Sequence, residues 1–257
     1  MRIALLSDIH GNSIALDAVL KDISAQGGTD EYLILGDLAA IGYDPIGALE
    51  RVAALPRAHI IRGNTDRCLV SGERPAPSLE EVQADPRLAP MFLQVTSSFA
   101  WTQGAVATNG WLAWLDALPL DYRVVLPDGT RLLAVHASPG LDDGNGVNPG
   151  VSDAELELLV KDCGADLVFV GHTHWAADRH AGGVRIVNPG SVSNPFPPDL
   201  RASYVLLDAD ASGYRLAHRR VDYDHAQVIA ETRRVRHPAG EYIAQYMRGE
   251  NRPYWMK

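Results

Sequence analysis

Five short apolar runs in this chain end in residues that bind metals or accept hydrogen bonds. RIALLS (2–7) runs into Asp8 and His10. YLILG (32–36) runs into Asp37, and AHIIRG (58–63) into Asn64. The apolar run of the early 130s meets His136, and that of 166–170 meets Gly171-His172-Thr173-His174. Short apolar runs separated by helical patterns read as buried strands of an α/β sheet. In open α/β sheets the carboxyl ends of strands form the ligand crevice. The pattern therefore brings two Asp, one Asn and four His to one edge. Glycine precedes three of the clusters, which suits backbone that turns sharply and approaches closely.

The segments between the runs fit this reading. Residues 13–23 place Leu16, Val19, Leu20 and Ile23 at helical spacing, with Gly27-Gly28 as a stop. Residues 44–55 open on Asp-Pro, a helix start. With the first three runs this makes β-α-β-α-β, hence a parallel sheet covered by helices. Residues 71–86 read as a loop rich in Pro, Ser and acids, and 87–118 as helical, with Trp101, Trp111 and Trp114 as packing residues. Together, about 71–120 form an insertion over one edge of the site. Residues 121–138 read as a hairpin around Pro-Asp-Gly. Ser152 and Glu155 form a capping box for a helix over 153–163, ended by Gly164. Strands follow at 184–192, 203–208 and 214–221, and two helices at about 223–250 close what reads as a single domain over 1–257.

Carboxylate oxygens and neutral imidazoles together suit Mn, Fe, Zn or Ni. Seven candidate ligands exceed one tetrahedral zinc and suit two ions sharing a bridging carboxylate. Two metals about 3.5–4 Å apart clamp the attacking and leaving oxygens of phosphoryl transfer. Composition narrows the classes further. The formal net charge of −9 disfavours a nucleic-acid duplex as partner and leaves a small anionic substrate held by metal. Two cysteines without Cys-x-x-Cys spacing, no signal peptide and no run near the about 18 apolar residues of a membrane span point to the cytoplasm.

The ordered set D8-I-H10, G36-D37, G63-N64-T65-D66, H136 and G171-H172-T173-H174 resembles the calcineurin-like metallophosphoesterase superfamily. HASP (136–139) and NPGSVS (188–193) further resemble its small bacterial and archaeal phosphodiesterase-like branch. The resemblance covers roughly 1–70 and 121–210. It implies a four-layer α-β-β-α sandwich of two facing mixed sheets, with a helical insertion. It implies two divalent ions from among Mn, Ni, Fe, Zn and Co. One would take Asp8, His10, Asp37 and His174, and the other Asp37, Asn64, His136 and His172, with Asp37 bridging. A deprotonated water bridging the metals would attack phosphorus in line.

Thr65 stands where the wider family usually has a histidine that contacts phosphate and protonates the leaving group. Asp66 stands where that histidine is oriented. Threonine has no useful pKa for general acid catalysis. The implied activity is that of a metal-dependent phosphoric ester hydrolase acting on a small phosphorylated substrate, a phosphodiesterase before a phosphomonoesterase. The catalytic set is Asp37, Asn64 and Asp66. Alternatives are a phosphomonoesterase or protein phosphatase of the same fold, or a non-catalytic protein-binding scaffold. Three further residues are candidate substrate contacts. Thr65 borders the ligands, Arg67 offers a planar fork for phosphate or a surface pair with Asp66, and Tyr43 either reaches substrate or packs a loop. His59, His180, His218, His225 and His237 read as surface or packing residues, and ETRRVR (231–236) as a solvated helix face.

Overall fold

Alternate residues of the first strand, β1 (Arg2–Leu6), enter two different cores. Ala4 and Leu6 pack under helices, whereas Ile3 and Leu5 pack against a second sheet. Side chains of a strand alternate between faces, so a strand covered on both sides is apolar throughout. This is why RIALL carries no polar alternation. The structure, a computed structural model, describes residues 1–253 and 255.

The described residues continue as α1 (Ser13–Ala25), β2 (Glu31–Ile34), α2 (Pro45–Ala53), β3 (Ala58–Ile60), α3 (Asn64–Ser71), α4 (Leu79–Ala84), α5 (Ala89–Thr108), α6 (Leu112–Asp116), β4 (Asp121–Val125) and β5 (Arg131–Val135). Next come α7 (Asp153–Val160), β6 (Leu167–Phe169), β7 (Ala177–Ala181), β8 (Val184–Asn188), β9 (Ala202–Asp210), β10 (Gly213–Val221), α8 (His225–Arg234) and α9 (Gly240–Met247). The first sheet has the order β10-β9-β1-β2-β3 and the second β4-β5-β6-β8-β7. Both are mixed. β1, β2 and β3 run parallel while β9 and β10 join antiparallel. β5, β6 and β8 run parallel while β4 and β7 flank them antiparallel. Register places Leu5 beside Leu33 on one side and Val205 on the other, so inward residues line up across the sheet.

Leu5, Leu33 and Ile61 of the first sheet face Leu132, Leu167, Phe169 and Val187 of the second. Outside the first sheet lie Leu16 and Val19 of α1, Leu49 of α2, Leu69 of α3 and Phe99 of α5. Outside the second lie Leu156 and Val160 of α7. The layers are therefore helix, sheet, sheet, helix. Phe169 is fully buried between the sheets. Phe169→Ala should cost about 3–5 kcal/mol of stability, read from urea unfolding midpoints, and a loss under about 1 kcal/mol would contradict this core assignment.

Several elements differ from the sequence expectation for local reasons. Asn64 begins a helix, α3, rather than only a turn, with Gly63 as its N-cap. The 71–86 loop contains α4, whose Ser78–Glu81 capping box was available as a signal in Ser-x-x-Glu spacing. The helical 87–118 region breaks between α5 and α6, where Gly110 takes φ 77°. α7 ends at Val160, three residues short of the expected 163, although the Ser152–Glu155 box forms. β7 pairs with β8 as an edge strand whose mixed Ala-Asp-Arg-His-Ala sequence hides its strand character. Trp111 and Trp114 pack against the helix-covered core, and Trp101 meets His237 edge-on. Among the described residues no helix is long and apolar enough to cross a membrane.

Candidate metal centre

Nine non-glycine residues among those described hold a positive φ, and five of them are Asp8, His10, Asp37, His172 and His174. Such backbone costs free energy and persists where the surrounding structure imposes it, typically at functional sites. The glycines of the same loops explain how strand ends come so close. A Cβ on Gly63 would lie 2.1 Å from Asp37 Oδ1, and one on Gly171 would lie 1.9 Å from Ser7 Oγ.

The strand ends bring Asp8, His10, Asp37, Asn64, His136, His172 and His174 together at one edge. Each imidazole has one ring nitrogen on a backbone carbonyl. His10 Nδ1 meets Ala40 O at 3.0 Å, His136 Nδ1 meets Leu35 O at 2.6 Å and His174 Nδ1 meets Asn194 O at 3.1 Å. His172 is turned the other way, with Nε2 on Gly144 O at 2.8 Å. A carbonyl only accepts, so these nitrogens carry protons and the opposite ones present lone pairs. Those lone pairs converge. His10 Nε2 is 3.0 Å from His174 Nε2. Asn64 Oδ1 lies 3.1 Å from His136 Nε2 and 3.2 Å from His172 Nδ1.

The carboxylates complete the set. Asp37 Oδ2 stands between two imidazoles, 3.7 Å from His10 Nε2 and 3.5 Å from His136 Nε2. Asp37 Oδ1 accepts the Thr65 N–H at 2.9 Å. Asp8 Oδ2 accepts from Ser7 Oγ and from the His172 N–H, while its Oδ1 is buried with no hydrogen-bond partner. Ligand atoms of Asp8, His10 and His174 lie within 4.8 Å of one another, as do those of Asp8, Asp37 and His136.

An orphaned buried carboxylate oxygen and lone pairs facing lone pairs are an arrangement that divalent cations resolve. The residues present thus fit divalent metal binding. The electrostatics agree. Burial works against a charged His136, yet the Asp37 carboxylate raises its pKa to about 10, so its Nε2 takes up a proton that a bound cation would displace. Burial likewise opposes charge on Asp37, and His136 nevertheless holds it well below the usual carboxylate range. The site draws positive charge.

The remaining sequence candidates make the following contacts. Asp66 is fully buried, and its oxygens accept the backbone N–H groups of Asp37, Leu38 and Gly63. Burial and the neighbouring Asp37 push its pKa up to about 7. It braces the loops that carry Asp37 and Asn64. The Tyr43 hydroxyl meets Ser13 Oγ and accepts the Ile14 N–H. Arg67 pairs with Asp142, Asp143 and Glu73.

Supporting residues surround the ligands, and of these Ser7 escaped the sequence reading. Ser7 donates to Asp8 at 2.6 Å, and its place beside Asp8 at a strand end was the available signal. Within NPGSVS, the Asn188 side chain donates to the Gly171 carbonyl and Ser191 Oγ donates to the Asp8 carbonyl. The carbonyls of Ala40, Gly144 and Asn194 carry no sequence signal, because any residue supplies one.

A cleft of about 800 Å³ opens onto His10, Asp37, Asn64, Thr65, His172 and His174. One wall is α5, through Met91, Val95, Ser98 and Phe99, and the other is the C-terminal region, through Pro238, Ala239 and Tyr242. The 71–120 segment thus borders the site.

Known proteins carry the same architecture. A metallophosphoesterase from Sphaerobacter thermophilus superposes with TM-score 0.74 at 25% identity, covering 98% of this chain and 99% of that one. A hypothetical protein from Pyrococcus horikoshii shares the fold with TM-score 0.78 at 19% identity, covering 96% and 97%. An uncharacterized protein of Methanocaldococcus jannaschii is 29% identical over 239 residues, which is 86% of this chain and 88% of that protein. The family profile of the calcineurin-like phosphoesterase superfamily domain matches residues 1–212. With its motifs, its two facing sheets and its ligand-bearing strand ends, the chain belongs to the calcineurin-like phosphoesterase superfamily.

Proposed function

We propose that the protein is a dinuclear metal-dependent phosphoesterase that prefers phosphodiesters to phosphomonoesters. The observation that carries this is the convergence of four imidazoles with Asp8, Asp37 and Asn64 at strand ends where a cleft opens onto His10, Asp37, Asn64, His172 and His174. One cation is assigned to Asp8, His10, Asp37 and His174, and the other to Asp37, Asn64, His136 and His172. Mn, Ni, Fe, Zn and Co all suit these donors. When bound, the two ions supply an activated water and neutralise charge on the phosphoryl oxygens.

The chain's own residues preset this site. Carbonyl contacts hold each imidazole in the tautomer that leaves the correct nitrogen free. The Thr65 N–H orients Asp37, and Asp66 locks the two loops together. The diester preference rests on charge. Among the described residues that line the cleft there is no lysine or arginine to meet the extra negative charge of a monoester. Cys68 and Cys163 are both free and buried, which supports the cytoplasm as the setting.

The test is to strip the protein with chelator and re-add Mn, Ni, Co, Zn, Fe or Mg singly, with aryl diesters and monoesters as substrates. Transition metals should restore hydrolysis, with kcat/KM for diesters at least about tenfold above monoesters. No restoration by any metal sinks the reading, and a monoester preference overturns its finer part.

A further inference from the structure

We infer that the cleft beside the metal centre receives the uncharged, mainly apolar organic group of a phosphoester, and excludes a second phosphate or another anionic group. This rests on the phosphoesterase reading and names its substrate class. The first observation is the wall. Met91, Val95 and Phe99 of α5 face the cleft from one side, and Ile41, Pro238 and Tyr242 also line it. Among its described lining residues there is no lysine or arginine.

The guanidinium groups of the adjoining segment are spent elsewhere. Arg67 is held by Asp142, Asp143 and Glu73. Arg74 donates to the carbonyls of Cys68, Gly72 and Glu73 and to Gln103. Polyphosphates and carboxylates are recognised by Arg or Lys forks, and a desolvated anion without one is strongly disfavoured. The charge that meets a phosphoryl group is thus left to cations that the Asp, Asn and His ligand set would hold, with none along the rest of the cleft.

The second observation is independent. Thr65 and Ser98 line the cleft from opposite elements, are only 5% and 4% exposed, and each carries a buried hydroxyl with no partner. One turn beyond Ser98, Thr102 satisfies its own hydroxyl on the Ser98 carbonyl, so the helix permits a bond that Ser98 does not make. Buried hydroxyls left unmet are costly, and a ligand is the natural partner. A neutral hydroxyl suits an uncharged polar atom on a largely apolar group.

The experiment compares 4-nitrophenyl phenyl phosphate with 4-nitrophenyl 4-carboxyphenyl phosphate on the metal-loaded full chain. In both, water adds to phosphorus and the same bond to 4-nitrophenolate breaks, so only the retained group differs. The phenyl ester should have kcat/KM at least about tenfold higher, mainly through KM. Gln94→Lys places a cation on the partly exposed cleft wall and should narrow the gap about threefold, with Val95→Lys as the second variant. Calorimetric binding of phenylphosphonate and 4-carboxyphenylphosphonate is measured in parallel. Equal hydrolysis of the two esters, or preference for the carboxylated one, overturns the inference and leaves the phosphoesterase reading standing. Tighter binding of phenylphosphonate without hydrolysis of either ester supports the cleft assignment and overturns the phosphoesterase reading. Equal binding without hydrolysis overturns both.

Discussion

Asp37→Asn is expected to abolish nearly all phosphoesterase activity, by at least about 10³-fold, while the chain stays folded. Asp37 is the side chain whose Oδ2 stands between His10 and His136, so it is placed to serve both cations. The amide keeps the shape and can still accept the Thr65 N–H through its oxygen. It also removes a buried charge that helps push the pKa of Asp66 up to about 7. Neither effect threatens the fold. Steady-state rates at saturating manganese, with urea unfolding alongside, separate the outcomes. Activity within tenfold of wild type would show that a bridging carboxylate is not required.

The second large effect separates two neighbours. Asn64→Ala is expected to lower kcat/KM by about 10²-fold, because it removes the oxygen that faces His136 and His172. Thr65→Ala should cost at most about tenfold, since alanine retains the backbone N–H that orients Asp37 and loses only one neutral hydroxyl at the cleft wall. A general acid is worth about 10²–10⁴-fold, so a site without one should depend steeply on leaving-group pKa. Activated aryl diesters should far outrun alkyl diesters. If Thr65→Ala is as damaging as Asn64→Ala, the threonine hydroxyl contributes far more than one neutral contact to the substrate's organic group, and the account of this pair is wrong. If both changes are silent at saturating metal, Asn64 serves only the start of α3.

The convergence of Asp8, Asp37, Asn64 and the four histidines was legible because it follows from two simple rules. Doubly covered strands are apolar throughout, and their carboxyl ends share one edge. The four layers were not legible from pattern. Periodicity alone gave a parallel sheet, and only the motif resemblance implied a second facing sheet. β7 was hidden by its half-polar edge sequence, and α3 by a Gly-Asn-Thr-Asp stretch that reads equally well as a turn. The placements of Tyr43 and Arg67 depended on partners remote in sequence, Ser13 and Asp142. Local propensity says nothing about such pairs. The cleft walls were obscure for the same reason, because Ser98 and Tyr242 come to line one cleft only after the chain has crossed both sheets.

The most direct measurement is anomalous scattering at the manganese edge from crystals grown with the metal in excess. The account predicts two peaks per chain, both touching the Asp37 carboxylate. Asp8, His10 and His174 should reach one peak, and Asn64, His136 and His172 the other. A single peak at full occupancy, or peaks that avoid Asp37, would contradict it.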